Sequence, residues 1–246
     1  MDINDLTGRR IAITGGASGI GFETALLFSE QGARVALLDR DASVHEASAR
    51  IPNSCAVVLD VTDEAGVNSG VAAAAAAFSG LDGLVNCAGA DFSGSILDTT
   101  PEQWHRLMSV NLTGPYLVTR AAVPLLRKEK KATIVNVASG LGLVPLIHRA
   151  AYCGSKAGLI MFSKALSMEL APQIRVNVVC PGIVDTPMFR NAWPDDAGLE
   201  KITSFYAMKR LPSAREMAHS ILFLAGDASA HITGIALASD GGRSFH

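Results

Sequence analysis

The stretch Arg10-Ile11-Ala12-Ile13-Thr14-Gly15-Gly16-Ala17-Ser18-Gly19-Ile20-Gly21 decides the fold of this 246-residue chain. Its apolar first part, residues 10–14, predicts a buried strand, and the glycine-rich turn opens a helix predicted over residues 19–31. Similar apolar runs alternate with helical stretches along the rest of the sequence. Further strands are predicted at residues 34–39, 55–59, 83–86, 132–137, 174–179 and 235–238, and further helices at residues 42–50, 63–78, 101–127, 150–170 and 214–224.

Strands that are apolar throughout and alternate with helices indicate a parallel sheet covered on both faces. We therefore expect an α/β chain with a three-layer Rossmann fold, in which about seven parallel strands form a doubly wound sheet. The length suits a single domain over residues 1–246. Pro115 and Pro124 are expected to bend or divide the helix over 101–127. The irregular segment 187–211 is long for a connection and is expected to be a lid.

Composition and charge exclude several classes of protein. A net charge of −2 with no long basic run argues against a nucleic-acid surface. The longest uncharged apolar stretch, residues 132–147, is too short and too interrupted to span a bilayer, and no secretory leader is visible. Four scattered cysteines predict reduced thiols rather than disulfides or a metal site. We expect a soluble, cytoplasmic protein.

The turn from Thr14 to Gly21 has the form of a phosphate-binding loop. Glycines let the backbone approach a pyrophosphate, whose charge is stabilised at the helix N-terminus. Asp39 ends the next predicted strand, where a carboxylate accepts the ribose hydroxyls of NAD and repels the 2′-phosphate of NADP. Arg40 leaves NADP open, because its side chain could reach that phosphate. We expect NAD rather than NADP.

Tyr152 and Lys156 lie four residues apart in the predicted helix over 150–170, and therefore on one helix face. A phenol has a reference pKa of about 10, and a neighbouring ammonium favours the phenolate and lowers that value. The pair predicts a tyrosine that exchanges a proton near neutral pH. Because this spacing also arises by chance, its weight comes from Ser139 upstream and from the phosphate loop.

Together these motifs resemble the short-chain dehydrogenase/reductase family, in its compact single-domain branch, from Thr7 to Gly242. Cys87 departs from the family pattern, in which asparagine is more usual. The matches are, in chain order, the loop Thr14–Gly21, Asp60-Val61, Asn86-Cys87-Ala88-Gly89, Asn111, Ser139, Tyr152 with Lys156, Pro181-Gly182 with Thr186, and Asp240-Gly241-Gly242.

The resemblance implies the catalytic residues. Tyr152 would be the general acid or base, and Ser139 would hydrogen-bond the substrate oxygen. Lys156 would lower the pKa of Tyr152 and bind the nicotinamide ribose. Asn111 would hold a water that connects Lys156 with solvent.

The resemblance also implies the cofactor contacts. Asp60 and Val61 would contact the adenine, Asn86 to Gly89 the ribose, and Thr186 the nicotinamide carboxamide. The complete implied set is Thr14, Gly15, Ser18, Gly19, Ile20, Gly21, Asp39, Arg40, Asp60, Val61, Asn86, Ala88, Gly89, Tyr152, Lys156, Pro181, Gly182, Ile183 and Thr186.

The implied activity is an NAD-dependent interconversion of a secondary alcohol and a ketone, with a polyol, sugar or hydroxy acid as substrate. Arg149 would pair with an anionic substrate, or else lie exposed at the start of its helix. Candidate substrate residues are Ser139, Leu141, Arg149, Tyr152, Met188 and Trp193.

Two alternatives stay open. One is a 3-oxoacyl-thioester reductase that uses NADP, against which Ser18 and Asp39 argue. The other is a catalytically silent NAD-binding sensor. The resemblance also implies a homo-oligomer, commonly a tetramer, in which the helices over 101–127 and 150–170 pack against their copies.

Overall fold

The computed structural model describes residues 4–192 and 198–245, without the side chains of residues 188, 191, 192 and 245. Its strands are β1 (Arg10–Thr14), β2 (Arg34–Asp39), β3 (Ser54–Val58), β4 (Gly83–Asn86), β5 (Ala132–Val137), β6 (Ile174–Pro181) and β7 (Ala236–Ser239). Its α-helices are α1 (Gly19–Glu30), α2 (Val44–Ala49), α3 (Glu64–Phe78), α4 (Pro101–Met108), α5 (Gly114–Leu126), α6 (Ala150–Leu170), α7 (Pro187–Ala192), α8 (Leu199–Ser204) and α9 (Ala214–Ala225).

The described strands form one parallel sheet in the order β3-β2-β1-β4-β5-β6-β7. The chain moves outward from β1 to β3 and then crosses to β4 on the other side of β1. Thr14 is in register with Asn86, and Asn86 with Asn136, so the carboxyl ends of β1, β4 and β5 are level. The predicted doubly wound α/β fold is confirmed. Its switch point lies between β1 and β4, where such folds bind ligands.

Helices cover both faces of the sheet because successive strand residues point to opposite sides. In β1, Ile11 and Ile13 pack with α1 and α9, whereas Ala12 packs on the other face with α3 and α5. Large side chains such as Phe28 are completely buried in these layers. Each such burial stabilises the fold by roughly 1.5–3 kcal/mol. The two layers hold the strand ends, and therefore the site, rigidly.

The helix predicted over residues 101–127 is interrupted. A π-helical turn over Ser109–Thr113 separates α4 from α5. Pro115 follows this turn and has no N–H to donate to the carbonyl four residues earlier, that of Asn111. Pro124, in contrast, lies inside α5 and does not divide it. The break therefore occurs at Asn111, consistent with the frequent use of π-turns at functional sites.

The segment expected to be irregular, residues 187–211, contains the short helices α7 and α8. Beyond α8, Tyr206 is 1% exposed, and its hydroxyl accepts a 2.8 Å hydrogen bond from the N–H of Ile183. The guanidinium carbon of Arg243 lies 5.9 Å from the Tyr206 ring centroid. The later part of this segment is thus fixed to the loop that follows β6.

Within the described residues, no helix combines the length and the apolar character needed to cross a membrane. The four cysteines are free thiols.

Candidate active site

The phosphate loop lies between the ends of β1 and β4. Gly15 has φ +68°, and a side chain there would place its Cβ 2.9 Å from the Ala88 nitrogen. A Cβ on Gly21 would lie 2.1 Å from the Gly15 oxygen. Thr14 Oγ1 accepts hydrogen bonds of 3.1 Å from the N–H groups of Cys87 and Ala88. Only glycine fits these close approaches, and they leave the loop backbone open to a ligand.

The N-terminus of α1 fits a dinucleotide pyrophosphate. Ser18 is its extended N-cap residue, and within the described structure its side chain makes no capping hydrogen bond and the first turn holds no acid. The partial positive charge of the helix N-terminus is therefore available to an anion. A Cβ on Gly19 would lie 3.5 Å from Thr186 Cγ2, so the loop faces the segment after β6. Ile20, partly buried, belongs to the same turn.

Asp39 lies at the end of β2, beside the glycine loop. One carboxylate oxygen accepts from the Ala17 N–H and the other from the Asp41 N–H, each at 3.1 Å. Its negative charge is thus fixed at the ribose end of the predicted cofactor site. Arg40, the next residue, is exposed, so a carboxylate and a cation follow each other at the end of β2.

Asp60 and Val61 lie on the connection between β3 and α3. Asp60 Oδ1 accepts hydrogen bonds of 2.8 Å from the N–H and the hydroxyl of Thr62. These bonds, and to a smaller extent the charge of Arg40, lower the pKa of Asp60. Val61 is buried, with its Cγ2 only 2.8 Å from the Cβ that a side chain on Gly114 would have. Asp60 therefore stays exposed beside Arg40, whereas Val61 packs on the start of α5.

The side chain of Asn86 is turned into the protein interior. Its Nδ2 donates to Asn136 Oδ1 at 2.8 Å and to Thr119 Oγ1 at 3.1 Å. Asn136 in turn donates to Ser163 Oγ at 2.7 Å. This buried chain of polar groups joins β4, β5, α5 and α6. The ribose contact implied for Asn86 would therefore come from its neighbours Ala88 and Gly89, which line the edge of the loop.

Helix α6 brings Lys156 and Tyr152 together, over the residues predicted for it. Lys156 is 4% exposed, and its Nζ donates to the Val137 oxygen at 3.1 Å. The same Nζ lies 5.9 Å from the Tyr152 ring centroid. Burial lowers the pKa of Lys156 to about 8, although the nearby thiols of Cys87 and Cys180 oppose this shift.

Tyr152 is next to Ser139, which is buried at the end of β5. Burial raises the pKa of Tyr152 to about 12, and the hydrogen bond with Ser139 acts in the opposite direction. Ser139 Oγ also accepts from the Leu141 N–H at 3.1 Å. We expected Lys156, together with a cationic cofactor, to lower the pKa of Tyr152. In the polypeptide alone burial has the larger effect, because it disfavours the charged phenolate.

Asn111 is held in the π-helical turn and is completely buried. Its Nδ2 donates to the Ala90 oxygen at 2.9 Å and to Ser155 Oγ at 3.1 Å. Its Oδ1 accepts from the Ala90 N–H at 2.8 Å. A Cβ on Gly89 would lie 3.5 Å from both Asn111 Oδ1 and Lys156 Nζ. Asn111 thus reaches the neighbourhood of Lys156, and it also fixes the loop after β4, a contact that we did not predict.

The segment after β6, residues 182–186, faces the glycine loop and forms the other side of the candidate cofactor site. A Cβ on Gly182 would lie 2.7 Å from Tyr206 Cε1, while the N–H of Ile183 is bound by the Tyr206 hydroxyl. Thr186 Oγ1 donates to the Val184 oxygen at 3.3 Å. Pro181, the last residue of β6, leads into this segment. We did not predict a role for Tyr206, because it lies far from every motif and its sequence context does not indicate that its hydroxyl bonds Ile183.

The predicted substrate residues have different outcomes. Leu141 lies in the 3₁₀ turn Gly140–Gly142, and its N–H donates to Ser139 Oγ. Arg149 is half-buried rather than exposed, and its Nη1 forms an ion pair with Asp91 and donates to the Phe92 oxygen at 3.1 Å. For Met188 only the backbone, in α7, is described. Trp193 lies outside the described residues.

Across residues 4–192 and 198–245, no three His, Cys, Asp or Glu side chains are grouped to hold a metal ion. What the site does present is a phosphate cradle, a fixed carboxylate, and the side chains of Ser139, Tyr152 and Lys156 at the carboxyl ends of the strands. This arrangement fits a nicotinamide dinucleotide with an acid or base beside its reactive end.

Comparison with known proteins agrees with this geometry. The family model described as enoyl-(acyl carrier protein) reductase matches residues 15–244. The 2,5-dichloro-2,5-cyclohexadiene-1,4-diol dehydrogenase LinX of Sphingobium indicum is 38% identical over 247 residues, with 98% of each chain covered. The 3-oxoacyl-(acyl-carrier-protein) reductase FabG of Thermotoga maritima is 37% identical over 243 residues, with 96% of this chain and 98% of the relative covered.

A solved structure shows the same architecture. Ligand-free aldohexose dehydrogenase of Thermoplasma acidophilum superposes with a TM-score of 0.93 at 28% identity, over 99% of this chain and 97% of that one. The chain therefore belongs to the short-chain dehydrogenase/reductase family and is an NAD(P)-dependent oxidoreductase that acts on CH–OH groups.

Proposed function

We propose that this enzyme is an NAD-dependent dehydrogenase that interconverts a secondary alcohol and a ketone, with Tyr152 as general acid or base. The observation that carries the proposal is the meeting of Ser139, Tyr152 and Lys156 beside a loop shaped for a dinucleotide. When bound, the nicotinamide ring supplies the hydride acceptor or donor, and the protein orients the alcohol and manages one proton.

The proton is handled by Ser139 and Tyr152. Ser139 Oγ accepts the Leu141 N–H, which orients the hydroxyl. Its proton points toward Tyr152, where a substrate oxygen placed between the two hydroxyls would accept it. In alcohol oxidation Tyr152 accepts the proton of the substrate hydroxyl group, and in ketone reduction it donates a proton to the carbonyl oxygen. The phenolate that oxidation requires gains stability from a cation, and Lys156, with a pKa of about 8, is mostly charged at neutral pH.

Among possible substrates, polyols and sugars fit better than hydroxy acids. The cation expected to recognise a carboxylate, Arg149, is already paired with Asp91. The relatives named as a cyclohexadienediol dehydrogenase and an aldohexose dehydrogenase support hydroxylated, uncharged substrates.

The preference for NAD rests on Asp39. Hydrogen bonds from the N–H of Ala17 in the glycine loop and from the N–H of Asp41 hold the carboxylate in place, so a 2′-phosphate would meet a fixed negative charge. The exposed Arg40 beside it is a cation that would favour NADP. The second candidate function, a 3-oxoacyl-thioester reductase with NADP, is favoured by the similarity to the Thermotoga maritima reductase.

A dehydrogenation screen with NAD and NADP in parallel tests these assignments. We expect NADH absorbance to rise with cyclic diols, polyols or aldohexoses, and little signal with NADP. Rapid oxidation of NADPH by an acetoacetyl thioester would instead favour the reductase. Silence with every substrate while NADH still binds would favour a sensor and contradict the enzymatic role of Tyr152.

Three further features belong to the same proposal. Residues 1–246 form one dinucleotide-binding and catalytic domain in the cytoplasm. Residues 187–211, of which 193–197 lie outside the described residues, are proposed as a lid over the site, and Tyr206 anchors the later part of this segment to the loop after β6. A cytoplasmic location follows from the sequence composition, and comparing activity in the cytosolic and membrane fractions of its host tests it.

The chain is also proposed to form a homotetramer. Met161 and Met168 lie seven residues apart on one face of α6 and are 64% and 86% exposed. Trp104 of α4, 38% exposed, reaches Gly154 on the same face. Such an apolar surface is typical of an interface. Size-exclusion chromatography with light scattering that shows a monomer would contradict this assembly.

A further inference from the structure

An ion pair outside the family motifs joins two loops at the edge of the site. Arg149, the residue before α6, pairs through Nη1 with the carboxylate of Asp91 in the loop after β4. The same Nη1 donates to the Phe92 oxygen at 3.1 Å. The side chains are 23% and 37% exposed, so the pair is partly shielded from water.

Main-chain hydrogen bonds next to this ion pair also join the loop after β4 to the segment before α6. The N–H of Gly94 donates to the His148 oxygen at 2.9 Å, and the N–H of Phe92 donates to Asp91 Oδ1 at 2.9 Å. His148 has φ +60°, a strained conformation for a residue other than glycine. The loop after β4 is thereby fixed directly to the segment that starts α6.

The other end of this loop is equally fixed. Asn111 binds both the N–H and the oxygen of Ala90, the residue before Asp91. From Asn111 the contacts pass through Ala90, Asp91 and Arg149 to the first turn of α6. Tyr152 lies three residues beyond Arg149 in that turn.

We propose that Asp91 is a positioning residue of this site, which holds the start of α6 through Arg149 and neutralises the cation that would otherwise lie unpaired near Tyr152. The inference rests on the proposed function, because it assigns to Asp91 an effect on the proton exchanged at Tyr152. The charge of Asp91 also extends to Lys156, one turn further along α6.

The charges around the two groups set the direction of the effect. At Tyr152, Asp91 raises the pKa and Arg149 lowers it, while Ser139 and Cys153 are the other polar groups that act there. At Lys156, Asp91 raises the pKa, as do the thiols of Cys87 and Cys180.

The test compares the pH dependence of kcat/KM for alcohol oxidation in single and double variants. Asp91→Asn should move the apparent pKa of the acidic limb down by on the order of 0.5 unit, and Arg149→Gln should move it up. The double variant should lie between the single variants. Asp91→Glu, which keeps the charge, should keep the wild-type apparent pKa. Asp98→Asn, on the same loop but outside the ion pair, is the matched control.

Opposite shifts distinguish charge from packing. If both single variants lower kcat and leave the apparent pKa in place, Asp91 is merely structural and the proposal is wrong. Shifts in the same direction would contradict it as well.

An NMR titration of Lys156, assigned with Lys156→Met, provides a second readout that needs no turnover. Asp91→Asn should lower the Lys156 pKa relative to wild type, and an unchanged value would also overturn the proposal. This readout needs no substrate. If the wild-type protein proved inactive, the proposed function would be refuted, but the NMR titration would still test whether the charge of Asp91 acts on Lys156.

Discussion

Lys156 Nζ lies 5.9 Å from the ring centroid of Tyr152 and is bound to the Val137 main-chain oxygen. Burial acts on both groups in favour of their neutral forms. It lowers the pKa of Lys156 to about 8 and raises the pKa of Tyr152 to about 12. At neutral pH the phenol of Tyr152 is therefore neutral and can donate a proton. Lys156 is mostly charged at neutral pH, because its pKa of about 8 lies only about one unit higher.

Tyr152→Phe tests the proton transfer. The variant keeps the ring and loses only the hydroxyl, so turnover should fall by about 100-fold or more, the range that general acid–base catalysis contributes. NADH should still bind, as measured by fluorescence titration. Tyr116→Phe is the matched control, because Tyr116 is exposed on α5 and packs with Phe162 away from Ser139. Substantial residual activity of Tyr152→Phe would remove Tyr152 from its proposed role.

Lys156→Met tests the cost of burying the lysine. Between pH 8 and 10.5 the unfolded chain binds a proton at Lys156 that the folded chain has released, so the free energy of unfolding rises with pH across this window. Below pH 8 the variant should be more stable than wild type by up to about 3 kcal/mol. The lost hydrogen bond to Val137 offsets about 1 kcal/mol of this gain.

Urea unfolding of the ligand-free protein at several pH values measures this effect. The stability advantage of Lys156→Met should decline from pH 8 towards pH 10.5. Lys164→Met, an exposed lysine on the same helix, should show no such decline. A constant difference between wild type and Lys156→Met would show that Lys156 does not titrate in this window.

The fold and most motif positions could be predicted from sequence because they follow from local pattern. Strands apolar on both faces, such as residues 35–38, are typical of a parallel sheet covered on both sides, and these four side chains are completely buried. Gly15 has φ +68° and Gly21 packs against the Gly15 oxygen, so the backbone of the loop itself requires both glycines. The bounds of α6 were predicted correctly for the same reason, since its periodicity and spacing are local.

What could not be predicted depends on contacts between distant parts of the chain. Arg149 was expected to face a substrate or the solvent, but its partner Asp91 lies 58 residues earlier, where no local pattern marks it. The Tyr206 hydroxyl bonds Ile183 across 23 residues. Both Pro115 and Pro124 were expected to bend or divide the helix over 101–127, but the break lies just before Pro115 and α5 continues through Pro124. The two prolines look alike in sequence, and only tertiary packing distinguishes them.

Asp39→Ala tests the cofactor preference. Loss of the carboxylate removes the charge-assisted hydrogen bonds expected with the ribose, worth about 1.5–3 kcal/mol, so the Kd for NADH should rise by roughly 10- to 100-fold. The Kd for NADPH should fall, because the repulsion disappears and Arg40 remains. Asp41→Asn, a neighbouring exposed carboxylate, is the control. Fluorescence titration measures both constants, and an unchanged NADH-to-NADPH ratio would rule Asp39 out as the selector.

Tyr206→Phe tests how the wall after β6 is held. The hydroxyl is the acceptor for the Ile183 N–H in a nearly water-free position, and its removal leaves that donor unsatisfied. We expect the free energy of unfolding to fall by about 1–3 kcal/mol. NADH affinity should fall as well, because Gly182 and Ile183 form the proposed nicotinamide wall and lose their support. Urea unfolding and fluorescence titration, with Tyr116→Phe as the parallel variant, measure the two effects. If stability falls while NADH affinity stays the same, Tyr206 supports only the fold, and the cofactor does not depend on the position of this wall.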